Sequence, residues 1–124
     1  MSDTERTASA SLHILHVFRA PLGGLFRHVC DLAEGQKKAG HKVGIICGEV
    51  PGDSVAAKRL AAIGAHCDLG VHTIEMNRLP GIGDIANIAR ITSCVMRARA
   101  DVIHGHGAKG GAYARLLPRI AGGL

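Results

Sequence analysis

The sequence has few aromatic residues, because its 124 residues include two Phe, one Tyr and no Trp. Proteins that bind single-stranded nucleic acids stack the bases on aromatic side chains. The net charge of +5 comes from Lys and Arg residues that are spread along the chain without forming a block. We therefore expect no nucleic-acid partner. The positive charge favours anionic ligands but does not identify one.

Long apolar runs are also absent, since none approaches the roughly 18 residues that a membrane-spanning helix needs. Residues 1–11 are polar and lack the apolar stretch of a signal peptide, so we expect a disordered leader there. The four cysteines lie far apart and form no C-x-x-C pair. We expect them to be small buried apolar residues without disulfides, in a protein of the reducing cytoplasm.

Short apolar runs alternate with segments of helical periodicity from residue 12 onward. Strands are predicted over residues 12–18, 41–47, 67–74 and 101–104, each followed by a helix. The predicted helix boundaries are Gly40 as the first end, Asp53 or Ser54 as the second cap, Asp84 as the third cap and Pro118 as the last end. This alternation predicts an α/β fold, a Rossmann-like doubly wound parallel sheet, over residues 12–124.

Two of the predicted helices carry apolar stripes that indicate which face each helix buries. The stripe of the first helix comprises Leu25, Val29, Leu32, Ala33 and Gln36. The stripe of the third helix comprises Ile85, Ile88, Ala89, Thr92, Val95 and Met96. We expect both stripes to face the sheet.

Gly23 and Gly24 lie between the first predicted strand and the first helix. At such a position, free backbone amides and the positive helix end can bind an anion such as a phosphate, and glycine allows close approach. A tight turn without a ligand explains the two glycines equally well. The dinucleotide-binding pattern G-x-G-x-x-G is absent, which weakens an NAD-binding interpretation.

Arg27 and His28 are predicted to lie in the first turn of the same helix. Positive side chains are unfavourable there unless an anion or a partner compensates for them. Their position therefore indicates a site, with simple exposure to solvent as the alternative.

His104 and His106 end the fourth predicted strand, where residues two apart face the same way. Two such imidazoles could share a metal ion, contact a sugar hydroxyl or carry a proton. We find no third ligand and no acidic partner in the sequence pattern, so we expect no metal site. We expect His104 to be buried under the loop and His106 to lie further out, as the better functional candidate.

Lys109 follows beside two glycines and could bring an ammonium group to the mouth of a cleft, although a solvated lysine is the commoner case. The remaining histidines have no paired acids and are assigned no role; they are His13, His16, His41, His66 and His72.

Three ordered segments, ILHVFRAPLGGLFRHVCDLA, AGHKVGIIC and ADVIHGHGAKGGAYARL, resemble the amino-terminal domain of the family 4 retaining glycosyltransferases. Residues 78–80, Arg-Leu-Pro, and the segment RADVIH fit the same pattern. The resemblance covers roughly residues 12–120. It implies part of a GT-B fold, in which two doubly wound domains face each other across a cleft.

The resemblance implies transfer of a sugar, with retention, from a nucleotide-sugar donor to a saccharide or lipid acceptor, without a metal ion or another cofactor. It implies that Gly23 and Gly24 approach the donor diphosphate and that His106 contacts the transferred sugar as the catalytic residue. Arg27, His104 and Lys109 would line the acceptor side.

The sequence departs from the family pattern because the second, donor-binding domain and its paired glutamates are missing. We therefore expect these residues alone to be inactive. We also expect the fourth strand to be an uncovered sheet edge that pairs with a second copy. The basic composition is compatible with work at the inner face of an anionic membrane. The alternative function is a stand-alone Rossmann-like module that binds a nucleotide or a phosphate and catalyses nothing.

Overall fold

The computed structural model describes residues 11–21, 23–77 and 81–116, without the side chains of residues 108 and 116. Strands and helices alternate in the order β1 (His13–Val17), α1 (Gly23–Lys38), β2 (Lys42–Gly48), α2 (Val55–Gly64), β3 (Val71–Ile74), α3 (Gly83–Ala98), β4 (Val102–Gly105) and α4 (Gly107–Leu116). The predicted leader up to residue 10, the segment 78–80 and the predicted end at Pro118 lie outside the described residues.

The four described strands form one parallel sheet in the order β3-β2-β1-β4. The chain moves outward from β1 through β2 to β3 and then crosses to the other side of β1 to add β4. The predicted α/β, Rossmann-like doubly wound arrangement is therefore confirmed. The order reverses between β1 and β4, and ligands of such sheets bind beyond the carboxyl ends of the strands at this switch point.

The central strand β1 separates two apolar cores because its side chains alternate between the faces of the sheet. Ile14 and Phe18 pack with α1 and α2, whereas Leu15 and Val17 pack with α3 and α4. His16 is fully buried on the same face as Ile14 and Phe18. A polar side chain thus occupies a position that strand periodicity assigns to the core.

The faces that α1 and α3 bury differ from the predicted stripes. Helix α1 buries Phe26, Val29 and Ala33, while Leu25 is 38% exposed. Helix α3 buries Asn87, Ile91, Cys94 and Val95, whereas Ile85 is 72% and Met96 57% exposed. The α3 prediction was wrong because it omitted Ile91, Cys94 and the polar residue Asn87. The Asn87 amide donates to the Glu75 carbonyl at 2.8 Å and to the Tyr113 hydroxyl at 3.1 Å, and these bonds compensate for burial.

Two predicted helix boundaries are confirmed and one is not. Gly40 follows the last turn of α1 with a φ of +96°. Ser54 caps α2, since its hydroxyl accepts a hydrogen bond from the Ala57 amide at 3.1 Å. Asp84 does not occupy the cap position of α3, because the helix begins at Gly83. Its carboxylate lies in the first turn and accepts from the Gly81 amide at 3.0 Å. A carboxylate in the first turn interacts favourably with the positive end of the helix dipole even when it is not the capping residue.

Strand β3 is shorter than predicted, because the segment before Val71 forms turns. The Cys67 amide donates to the Gly64 carbonyl at 3.1 Å, and the Gly70 amide donates to the Cys67 carbonyl at 3.0 Å. Gly70 has a φ of +87°, which ends the turn in a conformation that favours glycine. The sequence predicted a strand from residue 67 because Cys67 is apolar, and its side chain is buried although it lies in a turn.

Strand β4 lies at one edge of the sheet formed by the described residues, as predicted. Its amino end is tied to β1 because the Asp101 amide donates to the His13 carbonyl at 2.8 Å and the His13 amide donates to the Asp101 carboxylate at 2.8 Å. Pairing of this edge with a second copy stays a prediction. Within the described part of the chain, no helix has the length and apolar character needed to cross a membrane.

The cysteines are unpaired thiols in the structure, and three of them, Cys47, Cys67 and Cys94, are buried. Burial raises the pKa of Cys47 to about 12. This thiol is therefore protonated at neutral pH and acts as a small apolar core residue, as predicted from the spacing.

Candidate functional site

The carboxyl ends of β1 and β4 form the switch point, and α1 and α4 begin beside it. The two helix starts are close together, since a Cβ added at Gly107 would lie 3.7 Å from Leu25 Cδ2. The imidazoles of His28 on α1 and His106 before α4 also approach, with 6.2 Å between ring centroids. The predicted glycine loop and the predicted histidine pair therefore lie at one edge of the sheet.

Gly23 and Gly24 form the exposed start of α1. Gly23 has a φ of +64°, a conformation that disfavours side chains. A Cβ would meet no heavy atom within 4 Å at either glycine. The first turn of α1 carries no acidic side chain, so nothing of this kind offsets the positive helix end. The start of α1 is thus exposed and open at the side-chain positions of both glycines.

His104 and His106 stack on each other, with 3.9 Å between ring centroids and 27° between planes. Their burial is the reverse of the prediction, because His104 is exposed and His106 is only 6% exposed. His104 lies on the edge strand, whereas the His106 amide donates to the Val17 carbonyl at 2.8 Å and so extends the ladder toward β1. The His106 ring is thereby held among the rings of His16, Phe18 and His28.

His16 completes a cluster of three imidazoles, which we name the trihistidine cluster: His16, His104 and His106. His16 and His104 are register partners in the paired strands β1 and β4. The distance from His16 Nδ1 to His106 Nε2 is 2.9 Å. One ligand nitrogen from each residue lies within 4.8 Å of the others. The third imidazole that the sequence pattern failed to identify is therefore supplied by β1.

Gln36 on α1 fixes the tautomer of His16. Its amide oxygen can only accept, so the His16 Nε2–H donates to Gln36 Oε1 at 2.7 Å. In a neutral ring, His16 Nδ1 then carries the lone pair and accepts the Nε2–H of His106. Gln36 belongs to the predicted apolar stripe of α1. A polar residue in that stripe was the sequence signal for a buried polar partner such as His16 in the sheet.

The pKa values of two cluster members lie below the usual histidine range. Burial is the main cause of the lowered pKa of His16; the hydrogen bond to Gln36 opposes it, and the nearby His104 and His28 add to it. Burial, followed by the neighbouring His104, His16 and His28, lowers the pKa of His106 to about 4. Both imidazoles are therefore neutral at neutral pH, since a positive charge on either ring would be poorly hydrated and close to the other imidazoles.

Lys109 is held by an acidic partner, in contrast to the solvated lysine that the sequence favoured. Its ammonium lies 3.0 Å from both carboxylate oxygens of Asp84, and the two side chains are 9% and 21% exposed. The Tyr113 hydroxyl also donates to Asp84. Hydrogen bonds from Tyr113 and Lys109, with that from the Gly81 amide, lower the pKa of Asp84 to about 2. The group links the first turns of α3 and α4.

Arg27 is not brought to the trihistidine cluster. Arg27 and His28 are the fifth and sixth residues of α1, beyond the predicted first turn, and both are exposed. Arg27 lines a groove between α1 and α2 together with Glu34 and Arg59, whereas His28 turns toward His106. One residue of the pair therefore belongs to the switch point and the other does not.

In a comparison with known families, residues 22–124 match a model described as Glycosyltransferase Family 4. The matched segment includes the glycine loop, His104 and His106, and it starts after His16. No curated protein and no solved structure matches. The match spans most of the sequence, and it agrees with the parallel sheet and its order. The chain therefore belongs to glycosyltransferase family 4.

Proposed function

We propose that the chain is the acceptor-side part of an enzyme that transfers a sugar from a nucleotide-sugar donor to a saccharide or lipid acceptor, with retention of anomeric configuration. Family membership supports sugar transfer. The observation that carries the proposal is the meeting of an open helix start, Gly23 and Gly24, with the trihistidine cluster at the switch point. The donor-binding domain belongs to a longer reading frame in this proposal, and the transfer itself needs no metal ion.

The glycine loop is proposed to receive the donor diphosphate. The amides of a first helical turn have no partners within the helix, and the helix dipole adds a positive potential. Open space at Gly23 and Gly24 supports close approach of phosphate oxygens, and the absence of an acid in that turn avoids repulsion. Both features favour a bound anion at this end of α1.

His106 is proposed to contact the transferred sugar as a hydrogen-bond acceptor. Its Nε2–H is used by His16, so a neutral ring keeps a lone pair on Nδ1 for a sugar hydroxyl. An efficient proton carrier has a pKa near the working pH, and the pKa of His106 is about 4. These points favour a contact that orients the sugar over proton transfer by this residue.

The acceptor is proposed to lie beside His104, whose exposed ring flanks His106. Lys109 supports this wall through its ion pair with Asp84, and Arg27 contributes from the neighbouring groove. Exposed Ile82 and Ile85 at the start of α3, together with the net charge of +5, support a lipid-linked acceptor at the cytoplasmic face of a membrane.

The test uses the full reading frame that contains the chain, assayed for release of nucleoside diphosphate from UDP-sugar and GDP-sugar donors with and without EDTA. We expect turnover that EDTA does not abolish and a product whose anomeric configuration, read by NMR, matches the donor. His106→Ala should lower turnover by about 10-fold or more, the loss typical of a hydrogen bond used in the transition state.

His72→Ala is the matched control, because this histidine lies on β3, at the sheet edge opposite to β4 and outside the groove that Arg27 lines. It should retain full turnover. Unchanged turnover in His106→Ala would remove His106 from the site. Tight nucleotide binding without any sugar transfer would favour the binding-module alternative over the enzyme.

A further inference from the structure

The trihistidine cluster has the donor atoms of a transition-metal site. Tetrahedral Zn²⁺ binds imidazole nitrogens at about 2.0–2.1 Å, which places two such nitrogens about 3.3–3.4 Å apart. His16 Nδ1 and His106 Nε2 lie 2.9 Å apart, and the three ligand nitrogens fall within 4.8 Å of one another. Side-chain shifts of about half an ångström open this pair to the distance that Zn²⁺ requires, and a pair at the 4.8 Å limit must close by about 1.4 Å.

The backbone holds the three donors at the ends of rigid elements. His16 and His104 are neighbours in the ladder between β1 and β4. His106 follows directly, and its amide is bonded to the Val17 carbonyl at 2.8 Å. Ligands fixed in this way lose little further conformational freedom when a metal binds.

Gln36 provides a second, independent observation that points to a metal. Histidines that ligate metals usually donate their other N–H to a carbonyl or carboxylate, which orients the ring and fixes its tautomer. The His16 Nε2–H donates to Gln36 Oε1 at 2.7 Å, and this leaves Nδ1 facing the other two rings. The outer partner of a ligating histidine is thus already in place.

We propose that His16, His104 and His106 bind a divalent transition-metal ion of the zinc class. Donor sets made only of imidazole select Zn²⁺, Cu²⁺ or Ni²⁺ over Mg²⁺ and Ca²⁺, which prefer oxygen. The exposed ring of His104 gives the ion access from solvent, and His28 is close enough to His106 to serve as a fourth ligand after a side-chain rotation.

Metal binding has a functional consequence that rests on the proposed function. A metal on His106 Nε2 leaves the ring proton on Nδ1, so the nitrogen assigned to accept from the sugar hydroxyl becomes a donor. The ion therefore acts as an inhibitor of transfer, which is consistent with a reaction that needs no metal.

The binding test uses the tag-free chain, treated with EDTA, dialysed and titrated with ZnCl₂ by calorimetry; Co²⁺ absorption reports the coordination geometry. We expect saturation at one ion per chain. Gln36→Leu should weaken binding by about 10–100-fold, the usual effect of removing an outer partner. His104→Ala should weaken it at least as much, and its exposed position keeps the fold intact, as circular dichroism will check.

His72→Ala is again the matched control and should bind Zn²⁺ like the parent chain. Absence of saturable binding, or equal binding by His104→Ala and the parent, overturns the metal site and leaves a hydrogen-bonded histidine cluster. In the full enzyme, ZnCl₂ should lower transfer and EDTA should restore it. Binding without inhibition overturns the effect of the ion on His106 Nδ1. A protein that binds Zn²⁺ but never transfers sugar refutes the proposed function and leaves the metal site standing.

Discussion

Replacing Gly110 by alanine tests how closely α4 approaches the end of β1. A Cβ at Gly110 would lie 2.2 Å from the Val17 carbonyl oxygen and 3.1 Å from Phe18 Cα. Backbone atoms cannot rotate away, so α4 or β1 must shift. The same carbonyl accepts the His106 amide, and this hydrogen bond is at risk in the variant. Gly111, the next residue of α4, has no heavy atom within 4 Å of an added Cβ and is the matched control.

The expected magnitude follows from three contributions. Alanine stabilises a helix interior by about 1 kcal/mol relative to glycine, and this gain applies to both variants. Overpacking costs about 1–3 kcal/mol, and loss of the hydrogen bond to Val17 costs about 1 kcal/mol more. Gly110→Ala should therefore lower the free energy of unfolding by about 1–3 kcal/mol, whereas Gly111→Ala should raise it by about 1 kcal/mol.

Thermal unfolding followed by circular dichroism at 222 nm measures the difference between the two variants. About 4 °C per kcal/mol applies to a domain of this size, so their Tm values should differ by roughly 8–16 °C. Equal Tm values would refute the close contact between α4 and β1. A loss of stability in both variants would show that α4 tolerates no side chain at either position, against the open space described at Gly111.

Two further predictions concern α3. Ile91→Ala should lower the free energy of unfolding, measured by urea titration, by about 2–5 kcal/mol, because Ile91 is fully buried. Ile85→Ala, on the exposed face of α3, should change it by less than about 0.5 kcal/mol. Equal losses in the two variants would contradict the assignment of the buried face. Asp84 has a folded pKa of about 2, below its ordinary value of 3.8, so its stabilising contribution is complete above pH 4 and disappears as the pH falls toward 2. The difference in urea midpoint between the parent and Asp84→Asn should therefore shrink over this interval, with Asp53→Asn as the control, and a constant difference would exclude the carboxylate as its source.

The order of elements and the sheet could be predicted from the sequence, because apolar runs and glycine breaks repeat with a clear period. Ser54 and Gly40 show why local signals worked, because a helix cap and a glycine that ends a helix with positive φ depend on neighbours in the chain. The face of α3 could not be predicted, because Asn87 is stabilised inside by Tyr113, 26 residues away. Polar residues whose partners are distant look like surface residues in a sequence.

The candidate site was predicted in part for the same reason. The pair His104 and His106 is visible from strand periodicity, whereas His16 joins them only through the register of β1 and β4. The burial of the pair was predicted in reverse, since it depends on the hydrogen bond from the His106 amide to the Val17 carbonyl, which holds this residue against β1. Parallel neighbours are far apart in the chain, so no local pattern reports their register.

The central position of β1 has a consequence for synthesis of the chain. His13 in β1 bonds to Asp101, which follows 88 residues later. At about 5–20 residues per second, translation of that interval takes roughly 4–18 s. During this time one side of β1, with its row of backbone donors and acceptors, has no strand beside it even after β2 has formed. The nascent protein must therefore pass through a stage in which one of the two inner strands of the described sheet is open to pairing with other chains.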